Sequence, residues 1–544
     1  MFSLGGLNEN GKNMYVIEVD EDIFVFDAGL KYGMGKSLGV DYILPDYSYI
    51  KNNIKRVKGL FLSHGHDSNA GATADIMKEI PELKVYGTKY TLEVIKPDLR
   101  ETGVPFDKLI EMRPHTKINF AKNSIFSISI THSIPEAVAY VLYTEDGAIV
   151  YATDFVFDST MMGNYRTDIG KLAYVGKQGV LCLLAESMYA DKEGHTSPSN
   201  RASKFIKEVF QGAKGRIIST LHPAHIYRAQ EILDQAKATH KKVIIMGKSL
   251  QELIMNSIDL GYLDFKREDL GDLTNLNDNN ALIMISDEKE KPFMNLDRII
   301  KGFDKFIKLK EDDTVFITEP AYDGIELRRA IIMDEIAKLG VEAVALSSKF
   351  LSHHASREDL MLMINLMQPK YYFPIRGEYR HQISNAELAE QLAIPKENIL
   401  LKENGSVVTI IDGVLQDSHE QIKLNEILID GKSADDIGEL VLKDREMLGE
   451  NGIVIVSCTL SRQTKEILSG PEILTRGFIF VKENADLIEE SANISRSIIE
   501  RNIEVDNKKV DYNQIKNEIR EELGRFYYKE LETRPMLITV IQEV

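Results

Sequence analysis

Short apolar runs separated by polar turns recur over the first third of the chain, and this pattern predicts strands. Runs of about four to eight β-branched and aromatic residues between turn-forming residues are typical of strands. Several runs end directly in a polar side chain, as in α/β folds that place functional groups on loops beyond buried strands. The predicted strands lie in MYVIEV, DIFVFDAG, VKGLFLS, IFSISI, AYVLY, GAIVYATD and VLCLLAES.

The pattern changes after Ser199, where helical periodicity begins to alternate with short apolar runs. Such alternation predicts a second α/β unit with a mainly parallel sheet. Ser356 and Asp359 have the spacing of a capping box, which predicts a helix in SREDLMLMINLMQ that ends before Pro369. The other predicted helices are RASKFIKEVF, IYRAQEILDQAKATH and GIELRRAIIMDEIAKLG, and the predicted strands are RIIST, KVIIMG, ALIMIS, DTVFIT and VEAVALSS.

A third, smaller unit is predicted at the C-terminal end. The strand KYYFPIRGEY is followed by a mixed segment that is typical of a linker. Beyond it, apolar runs and helical periodicity alternate again, which predicts a separate small α/β domain. Its predicted strands are NGIVIVSCTL, GFIFVKE and MLITVIQEV, and its predicted helices lie near residues 485–503 and 511–530.

Composition narrows the class of protein. The chain has 544 residues, 43% of them hydrophobic and 28% charged, which is typical of a globular protein of several domains. No apolar run reaches the roughly 20 residues that cross a bilayer, and the first residues do not resemble a signal peptide, so we expect a cytoplasmic protein with no membrane partner. Cys182 and Cys458 lie in apolar runs and are expected to be buried free thiols.

The formal net charge of -18 disfavours broad attraction to nucleic acid. Residues 201–250 depart from this balance, with ten basic side chains against three acidic ones. Two interpretations remain open for them: a path for RNA, with affinity that falls steeply as salt is added, or solvated helix faces. The basic residues are Arg201, Lys204, Lys207, Lys214, Arg216, Arg228, Lys237, Lys241, Lys242 and Lys248.

Candidate metal ligands follow three of the predicted strands. His64 and His66 are one residue apart after VKGLFLS, His132 follows SIFSISI, and Asp154 follows GAIVYAT. A single HxH pair is a weak signal. Three imidazoles and one carboxylate, each at the exit of a strand, nevertheless form a complete set of ligands for zinc. The sequence therefore predicts one zinc site at these four residues.

These motifs, in this order, resemble the metallo-β-lactamase fold. HGHDSN, THSIPE and ATDFVFD are similar to its metal-binding motifs, and Asp27 in FVFDAG is similar to its first motif. Glu186 in LLAESMYA, His354 in LSHHASRED and the segment FPIRGEYR resemble the β-CASP subfamily of nucleic-acid hydrolases. The resemblance continues through SGPEILTRGF and RPMLITVIQEV, and points to bacterial ribonuclease J, in particular to the divergent second paralogue of some Gram-positive bacteria.

The resemblance implies an α/β fold and an activity. The expected architecture is a metallo-β-lactamase αββα sandwich with an inserted β-CASP α/β domain and a small C-terminal α/β domain. The family implies a two-zinc phosphodiester hydrolase with 5′-to-3′ exonuclease and endonuclease activity in mRNA decay and rRNA maturation. RNA, a homo-oligomer and a hetero-oligomer with a paralogue are the expected partners, and no small-molecule cofactor is expected. The expected domains are metallo-β-lactamase over 1–203 and 369–420, β-CASP over 204–368, a linker over 421–448 and a C-terminal oligomerisation domain over 449–544.

The resemblance also implies roles for single residues. Asp27 and Glu186 would orient the metal site, His354 would contact the scissile phosphate, and Asp154 and Glu186 would join His354 in catalysis. A buried or solvated histidine and a polar strand end are the alternatives for His354 and Glu186. The expected RNA-binding residues are Ser352, His353, His354 and Arg376.

Three positions depart together from the family's pattern. Ser68 and Asn69 stand where the family has two ligands of a second metal, and Arg376 replaces a late histidine ligand. Serine and asparagine are poor zinc ligands, and a guanidinium stays protonated and cannot coordinate. A unit charge about 4 Å from a divalent ion repels it by roughly 8 kcal/mol at an effective dielectric constant near 20. We therefore expect one zinc at most, or manganese in its place.

Two functions from different classes remain open. The first is an active or weakly active ribonuclease J paralogue. The second is a noncatalytic subunit that binds RNA and oligomerises with an active partner, and the three departures favour it or a very low activity. For Arg376 the alternatives are a forked phosphate contact and an ordinary surface ion pair. A hydrolase of small thioesters or lactams is disfavoured, because it needs neither the long insertion nor the C-terminal domain.

Overall fold

The computed structural model describes residues 1–32, 39–196, 200–222, 225–286, 293–318, 325–347, 350, 354–430, 439–480, 483–505 and 510–544. The chain divides into two compact units. They are Met1–Gly33 with Tyr42–Ile427, and Met34–Asp41 with Leu428–Val544. Over these described ranges, no helix has both the length and the apolar character needed to span a membrane.

Strands and helices alternate along the chain. The strands are β1 (Phe2–Gly5), β2 (Met14–Val19), β3 (Asp22–Phe26), β4 (Lys31–Tyr32), β5 (Tyr42–Leu44), β6 (Val57–Phe61), β7 (Val85–Gly87), β8 (Leu109–Glu111), β9 (Lys117–Phe120), β10 (Asn123–Ser129), β11 (Val138–Thr144), β12 (Gly147–Ala152), β13 (Val180–Glu186), β14 (Ile217–Thr220), β15 (Lys242–Met246), β16 (Ala281–Ile285), β17 (Thr314–Ile317), β18 (Glu342–Ala345), β19 (Tyr371–Ile375), β20 (Ile410–Ile411), β21 (Val414–Leu415), β22 (Ile427–Ile429), β23 (Ile453–Leu460), β24 (Ile467–Arg476) and β25 (Met536–Glu543). The α-helices are α1 (Ser48–Asn52), α2 (Asp67–Ala70), α3 (Thr73–Glu79), α4 (Lys89–Thr102), α5 (Ile169–Gln178), α6 (Asn200–Gly212), α7 (Ile226–Ala238), α8 (Lys248–Asp259), α9 (Met294–Ile300), α10 (Glu326–Lys338), α11 (Arg357–Met367), α12 (Tyr379–Gln391), α13 (Glu439–Asn451), α14 (Ala485–Val505) and α15 (Tyr512–Leu531).

Two six-stranded sheets form the centre of the first unit. The first has the order β1-β2-β3-β6-β7-β8 and is parallel from β3 to β8. The second has the order β19-β13-β12-β11-β10-β9, with β19, β13 and β12 parallel to one another. Because β11 is antiparallel to both β10 and β12, β10 runs in the same direction as β12. The predicted strands of this region are confirmed.

The second sheet is buried on both faces, as the period of two along β12 shows. Ile149 and Tyr151 pack in an aromatic-rich core with residues of the first sheet, whereas Val150 and Ala152 pack against α5, α11 and α12. Helices α5 and α11 approach closely at Gly176, where an added Cβ would lie 1.9 Å from a backbone carbonyl oxygen of α11. The result is a sheet-on-sheet sandwich with helices outside.

A parallel five-stranded sheet is inserted between β13 and β19 of the second sheet. Its order is β15-β16-β14-β17-β18, and every pair is parallel, as predicted. Helices α6, α7 and α8 pack on one face, and α9 and α10 pack on the other. Since β13 and β19 pair directly, the chain leaves the second sheet at Glu186 and re-enters it at Tyr371.

Two members of the basic stretch are internal, which corrects the idea that all ten line an RNA path. Arg216 is 1% exposed, and its Nε and Nη2 lie 2.8 and 2.6 Å from the Asp313 carboxylate oxygens. Arg228 is also 1% exposed, and its Nη1 lies 2.7 Å from Glu231. These two arginines form ion pairs inside the inserted domain. Both interpretations stay open for the exposed lysines Lys204, Lys207, Lys214, Lys237 and Lys248.

The second unit contains a three-stranded sheet with the order β24-β23-β25 and the helices α14 and α15 on one face. The predicted strand GFIFVKE is wrong over residues 477–480 and 483, which form no strand, and its residues 481–482 lie outside the described part of the chain. The strand in its place is β24 over ILSGPEILTR, an edge strand that includes Pro471. Proline is tolerated at a sheet edge, where no partner strand needs its missing N–H. Because glycine and proline interrupt this segment, it lacks the continuous apolar run by which the other strands were predicted. Helix α13 overlaps the predicted linker and was not predicted.

Two local predictions are confirmed. Cys182 and Cys458 are buried free thiols. Helix α11 begins after Ser356, whose backbone N donates to Asp359 Oδ2 at 3.2 Å, and it ends at Met367, two residues before Pro369. The capping residues therefore set the position of the helix start next to His354.

Candidate metal centre

The candidate site residues lie at the carboxyl ends of strands that run in the same direction. In a layered α/β fold, the loops at this edge of parallel strands are the usual place for a site. The structure brings the carboxyl ends of both sheets together at one edge of the sandwich. The residues are Asp27 after β3, His64 and His66 after β6, His132 after β10, Asp154 after β12, Glu186 at the end of β13 and Arg376 after β19.

The four predicted metal ligands converge. The ligand atoms of His64, His66, His132 and Asp154 all lie within 4.8 Å of one another. The three imidazole centroids are 4.5 to 4.7 Å apart. His64 Nε2 and His132 Nε2 lie 3.1 and 4.0 Å from Asp154 Oδ2. His66 Nδ1 lies 3.1 Å from His132 Nε2. Ring nitrogens and a carboxylate that face one another at this spacing fit one metal ion, and they are the donors that zinc prefers.

Asp27 sets the orientation of His64 through Ser63. Ser63 Oγ donates to Asp27 Oδ2 at 2.8 Å and lies 2.8 Å from His64 Nδ1. Because its hydrogen goes to Asp27, this hydroxyl accepts the Nδ1 hydrogen, and His64 Nε2 presents its lone pair to the cluster. Tyr151 Oη also donates to Asp27 Oδ2, at 2.6 Å. Burial raises the pKa of the Asp27 carboxyl, and these donors favour its charged form.

Arg376 is buried beside Asp154. The residue is 4% exposed, and its Nη1 donates to Asp154 Oδ2, the oxygen that also faces His64 Nε2. Nη1 donates to Asn69 Oδ1 at 2.9 Å, and Nη2 donates to Ser68 Oγ at 3.2 Å. The three positions that depart from the family's pattern therefore contact one another around Asp154. The alternative of an ordinary surface arginine is wrong.

The electrostatics of this pair favour full charge on both partners. Burial would raise the pKa of Asp154, but the Arg376 guanidinium and His64 hold it well below its usual range. Burial would lower the pKa of Arg376, but the carboxyls of Asp154 and Glu186 raise it. Asp154 thus keeps its negative charge, which faces both the Arg376 guanidinium and the three clustered imidazoles.

Three residues of the site have left-handed backbone conformations. The φ angles are 60° at Asp27, 49° at Asp154 and 51° at Arg376. Such angles are uncommon for residues other than glycine and cluster at functional sites, where the surrounding structure enforces them. The close approach of Gly29 to the turn that carries Ser68 is part of that enforcement, since an added Cβ at Gly29 would lie 1.7 Å from the Ser68 carbonyl oxygen.

Glu186 and His354 form a second group next to Asp154. His354 Nδ1 lies 2.6 Å from Glu186 Oε2 and 3.9 Å from Asp154 Oδ1. Glu186 Oε1 accepts hydrogen bonds from the backbone N of Phe155 at 2.8 Å and of Ala355 at 3.3 Å. Burial and the Arg376 charge lower the pKa of His354 to about 3, so its ring is neutral near pH 7. Glu186 thus orients His354 rather than one of the three clustered histidines.

Three other polar residues are not members of the cluster, and two predicted residues lie outside the described residues. Ser352 and His353 lie outside them. Asp67 is exposed and accepts a hydrogen bond from Tyr32 at 2.6 Å, so it does not take the place of a missing ligand. His222 and His225 belong to neither group of clustered donors in the described structure.

Sequence analysis did not identify four residues that support the site. Ser63 and Tyr151 hold Asp27, Ser133 Oγ lies 3.2 Å from His66 Nε2, and Tyr15 Oη accepts from the Arg376 backbone N at 3.1 Å. Only their positions beside ligands or at strand ends could have drawn attention to Ser63, Ser133 and Tyr151. Tyr15 carries no such signal.

The sandwich, its inserted parallel sheet and the ligand cluster at its edge define a metallo-β-lactamase fold with a β-CASP domain and a metal cofactor. Three family models match: the Ribonuclease J beta-CASP domain over residues 214–334, the Zn-dependent metallo-hydrolase RNA specificity domain over 341–400, and the Ribonuclease J C-terminal domain over 440–544. The chain is also 32% identical over 548 residues to Ribonuclease J 2 of Staphylococcus aureus strain MRSA252, which covers 99% of this chain and 97% of that protein. The chain therefore belongs to the ribonuclease J family.

Two further proteins are similar. Ribonuclease J 2 of Staphylococcus saprophyticus is 32% identical over 546 residues, again with 99% of this chain and 97% of that protein covered. A crystal structure of a protein of unknown function from Enterococcus faecalis V583 covers 79% of this chain and 99% of its own, with a TM-score of 0.51 and 15% identity. That likeness concerns the fold alone.

Proposed function

We propose that this chain is a ribonuclease J paralogue that acts on RNA in the cytoplasm, in mRNA decay and rRNA maturation, with weak or absent intrinsic activity. Membership of the family supports the substrate class. One observation supports the low activity: the buried Arg376 guanidinium is bonded to Ser68, Asn69 and Asp154, where the family has ligands of a second metal.

The proposed first metal is one zinc, or manganese in its place, held by His64, His66, His132 and Asp154. When bound, it would act as a Lewis acid on a phosphoryl oxygen and lower the pKa of a bound water. Asp27 keeps His64 in the ligating tautomer through Ser63. The proposed catalytic group is Asp154, Glu186 and His354, in which Glu186 holds a neutral His354 against the scissile phosphate.

A second metal does not fit the residues present. Ser68 and Asn69 offer poor ligands, and the Arg376 guanidinium already donates to Asp154 and neutralises its charge. In two-metal phosphodiester hydrolysis the two metal ions together stabilise both the attacking and the leaving oxygen. Loss of that arrangement is expected to cost several orders of magnitude in rate.

Arg376 and the turn before α11 are the proposed contacts to the RNA backbone. Arg376 Nη2 makes one hydrogen bond to Ser68, and it has a second hydrogen for a phosphate oxygen. Ser352, His353 and His354 would complete these contacts. The guanidinium thus supplies charge and donors without ligating a metal.

The second candidate function is a noncatalytic subunit, and the same burial of Arg376 favours it. Such a subunit binds RNA and oligomerises with itself or with an active ribonuclease J, through the proposed C-terminal domain over residues 449–544. The other proposed bounds stay as predicted: 1–203 and 369–420 for the metallo-β-lactamase domain, 204–368 for the β-CASP domain and 421–448 for the linker.

A turnover assay tests both functions. The full-length chain is incubated with 5′-monophosphorylated RNA and zinc or manganese, alone and with an active ribonuclease J, and a variant with His64→Ala and His66→Ala serves as control. We expect little or no turnover by the chain alone, and an effect on the partner's turnover when both are present. Turnover by the chain alone that equals the partner's and disappears in the variant would contradict the proposal.

A further inference from the structure

His195, on the loop after β13, pairs with the carboxylate of Asp359 in α11, outside the four-ligand cluster. His195 Nδ1 lies 2.8 Å from Asp359 Oδ1. The Asp359 side chain is fully buried, whereas that of His195 is 58% exposed. Asp359 Oδ2 accepts hydrogen bonds from the backbone N of Thr196 at 2.9 Å and of Ser356 at 3.2 Å. The carboxylate is thus held by the backbone, and it fixes the imidazole from the buried side.

This pairing determines what His195 offers to a ligand. A carboxylate only accepts hydrogen bonds, so the hydrogen of the neutral imidazole is on Nδ1, facing Asp359. The opposite ring nitrogen, Nε2, then carries a lone pair on the exposed side of the pair. His195 is therefore a positioned hydrogen-bond acceptor.

The pair is joined to the segment that carries His354. Thr196 Oγ1 donates to the His354 carbonyl oxygen and lies 2.9 Å from Ser356 Oγ. The Tyr189 ring on the same loop lies 5.1 Å from the His354 ring, edge to face. RNA bound at His354 would therefore lie next to the loop that carries His195.

The charge around His195 favours a neutral partner over a phosphate. The backbone N of Arg357 donates to the Lys192 carbonyl oxygen at 3.0 Å, and that of Glu358 donates to the Gly194 carbonyl oxygen at 3.2 Å, so the loop packs on the start of α11. Carboxylates outnumber cations among the charged residues of these two segments. They are Asp191, Glu193, Glu358 and Asp359 against Lys192 and Arg357.

We propose that His195 is a specificity residue that accepts a hydrogen bond from a ribose 2′-hydroxyl of the bound strand and so favours RNA over DNA. The 2′-hydroxyl is the group by which a protein distinguishes the two nucleic acids at a given position. The inference rests on the proposed function, because it requires RNA bound past His354.

The test compares the affinity of the full-length chain for two labelled 5′-monophosphorylated oligonucleotides of one sequence, RNA and DNA, by fluorescence anisotropy. His195→Phe keeps a ring of similar shape without ring nitrogens. His419→Phe is the matched control, since His419 is 94% exposed and lies 3.9 Å from an equally exposed Asp417. Thermal midpoints of both variants show whether they fold.

We expect His195→Phe to lower the ratio of RNA affinity to DNA affinity about fivefold, which is the contribution of one hydrogen bond. The affinity for DNA should stay unchanged. His419→Phe should behave as the wild type. A wild type that binds neither strand would overturn the proposed function together with this inference. A wild type that prefers RNA, with the same preference in His195→Phe, would overturn the inference alone. Equal losses for RNA and DNA would also overturn it, since they would indicate a phosphate contact.

Discussion

Replacement of Arg376 by alanine should destabilise the first unit strongly, because it leaves a buried charge without its partner. The side chains of Arg376 and Asp154 are 5% and 0% exposed. Removal of one partner of a buried ion pair typically costs about 3–5 kcal/mol. Arg380→Ala is the control: Arg380 is 56% exposed and lies 2.8 Å from Glu378, and an exposed pair is worth about 1 kcal/mol or less.

The measurement is the free energy of unfolding in urea, by circular dichroism, since the chain has no tryptophan. Metal-free Arg376→Ala should lose several times more stability than Arg380→Ala. Added zinc should reduce the loss, because a cation in the ligand cluster also compensates Asp154 and binds the folded state. Equal losses in the two variants, or a loss that zinc does not change, would refute the conclusion that the guanidinium and a metal share Asp154.

Three further variants test other parts of the structure. Arg216→Met should cost about 3–5 kcal/mol of unfolding free energy in urea, because its buried carboxylate partner loses its cation, and RNA affinity measured on folded protein should not change. Gly29→Ala should lower the thermal midpoint, because the added Cβ would lie 1.7 Å from the Ser68 carbonyl oxygen. Ser63→Ala should weaken zinc binding about 10- to 100-fold in a chelator competition, because His64 loses the partner that sets its tautomer.

Each of these variants has a matched control at an exposed or open position. Lys214→Met should not change stability, because Lys214 is exposed. Gly212→Ala should not lower the midpoint, because no atom lies within 4 Å of the added Cβ. Ser497→Ala should not change zinc affinity, because Ser497 is an exposed residue of α14. A variant that behaves as its control would contradict the role given to that residue.

The fold was predictable where the pattern is local. Strand β12 reads as an apolar run followed by Asp154, and the ligands could be found because each follows such a run directly. The strand β24 was missed because its register is set by pairing with β23 and not by its own composition. Local periodicity therefore predicts strands that contain an apolar run, including the edge strand β25, but not β24, whose sequence lacks such a run.

Buried charges could not be predicted, because their partners are distant in the sequence. Arg216 and Asp313 are 97 residues apart, and Arg376 and Asp154 are 222 apart. A basic residue in a helical or loop pattern is usually solvated, and only the fold shows that these two are not. For Arg376 the family resemblance supplied its place in the site, and the structure supplied its burial and its contacts to Ser68 and Asn69.

A measurement of the number of metal ions per chain needs a positive control for a second site. Ser68→Asp, Asn69→His and Arg376→His together introduce the second-metal ligands that the family resemblance implies. That variant should bind two zinc ions per chain. The new aspartate and the two new histidines can ligate a second zinc together with Asp154, and the repelling guanidinium is gone. The wild-type chain with His64→Ala and His66→Ala should bind no zinc ion tightly, because two of the four ligands are lost.

The most direct test is the zinc content of the wild-type chain after equilibration with excess zinc and removal of free metal, measured by elemental mass spectrometry. We expect one zinc per chain, held by His64, His66, His132 and Asp154 beside a buried Arg376. Two tightly bound zinc ions per wild-type chain would contradict this expectation.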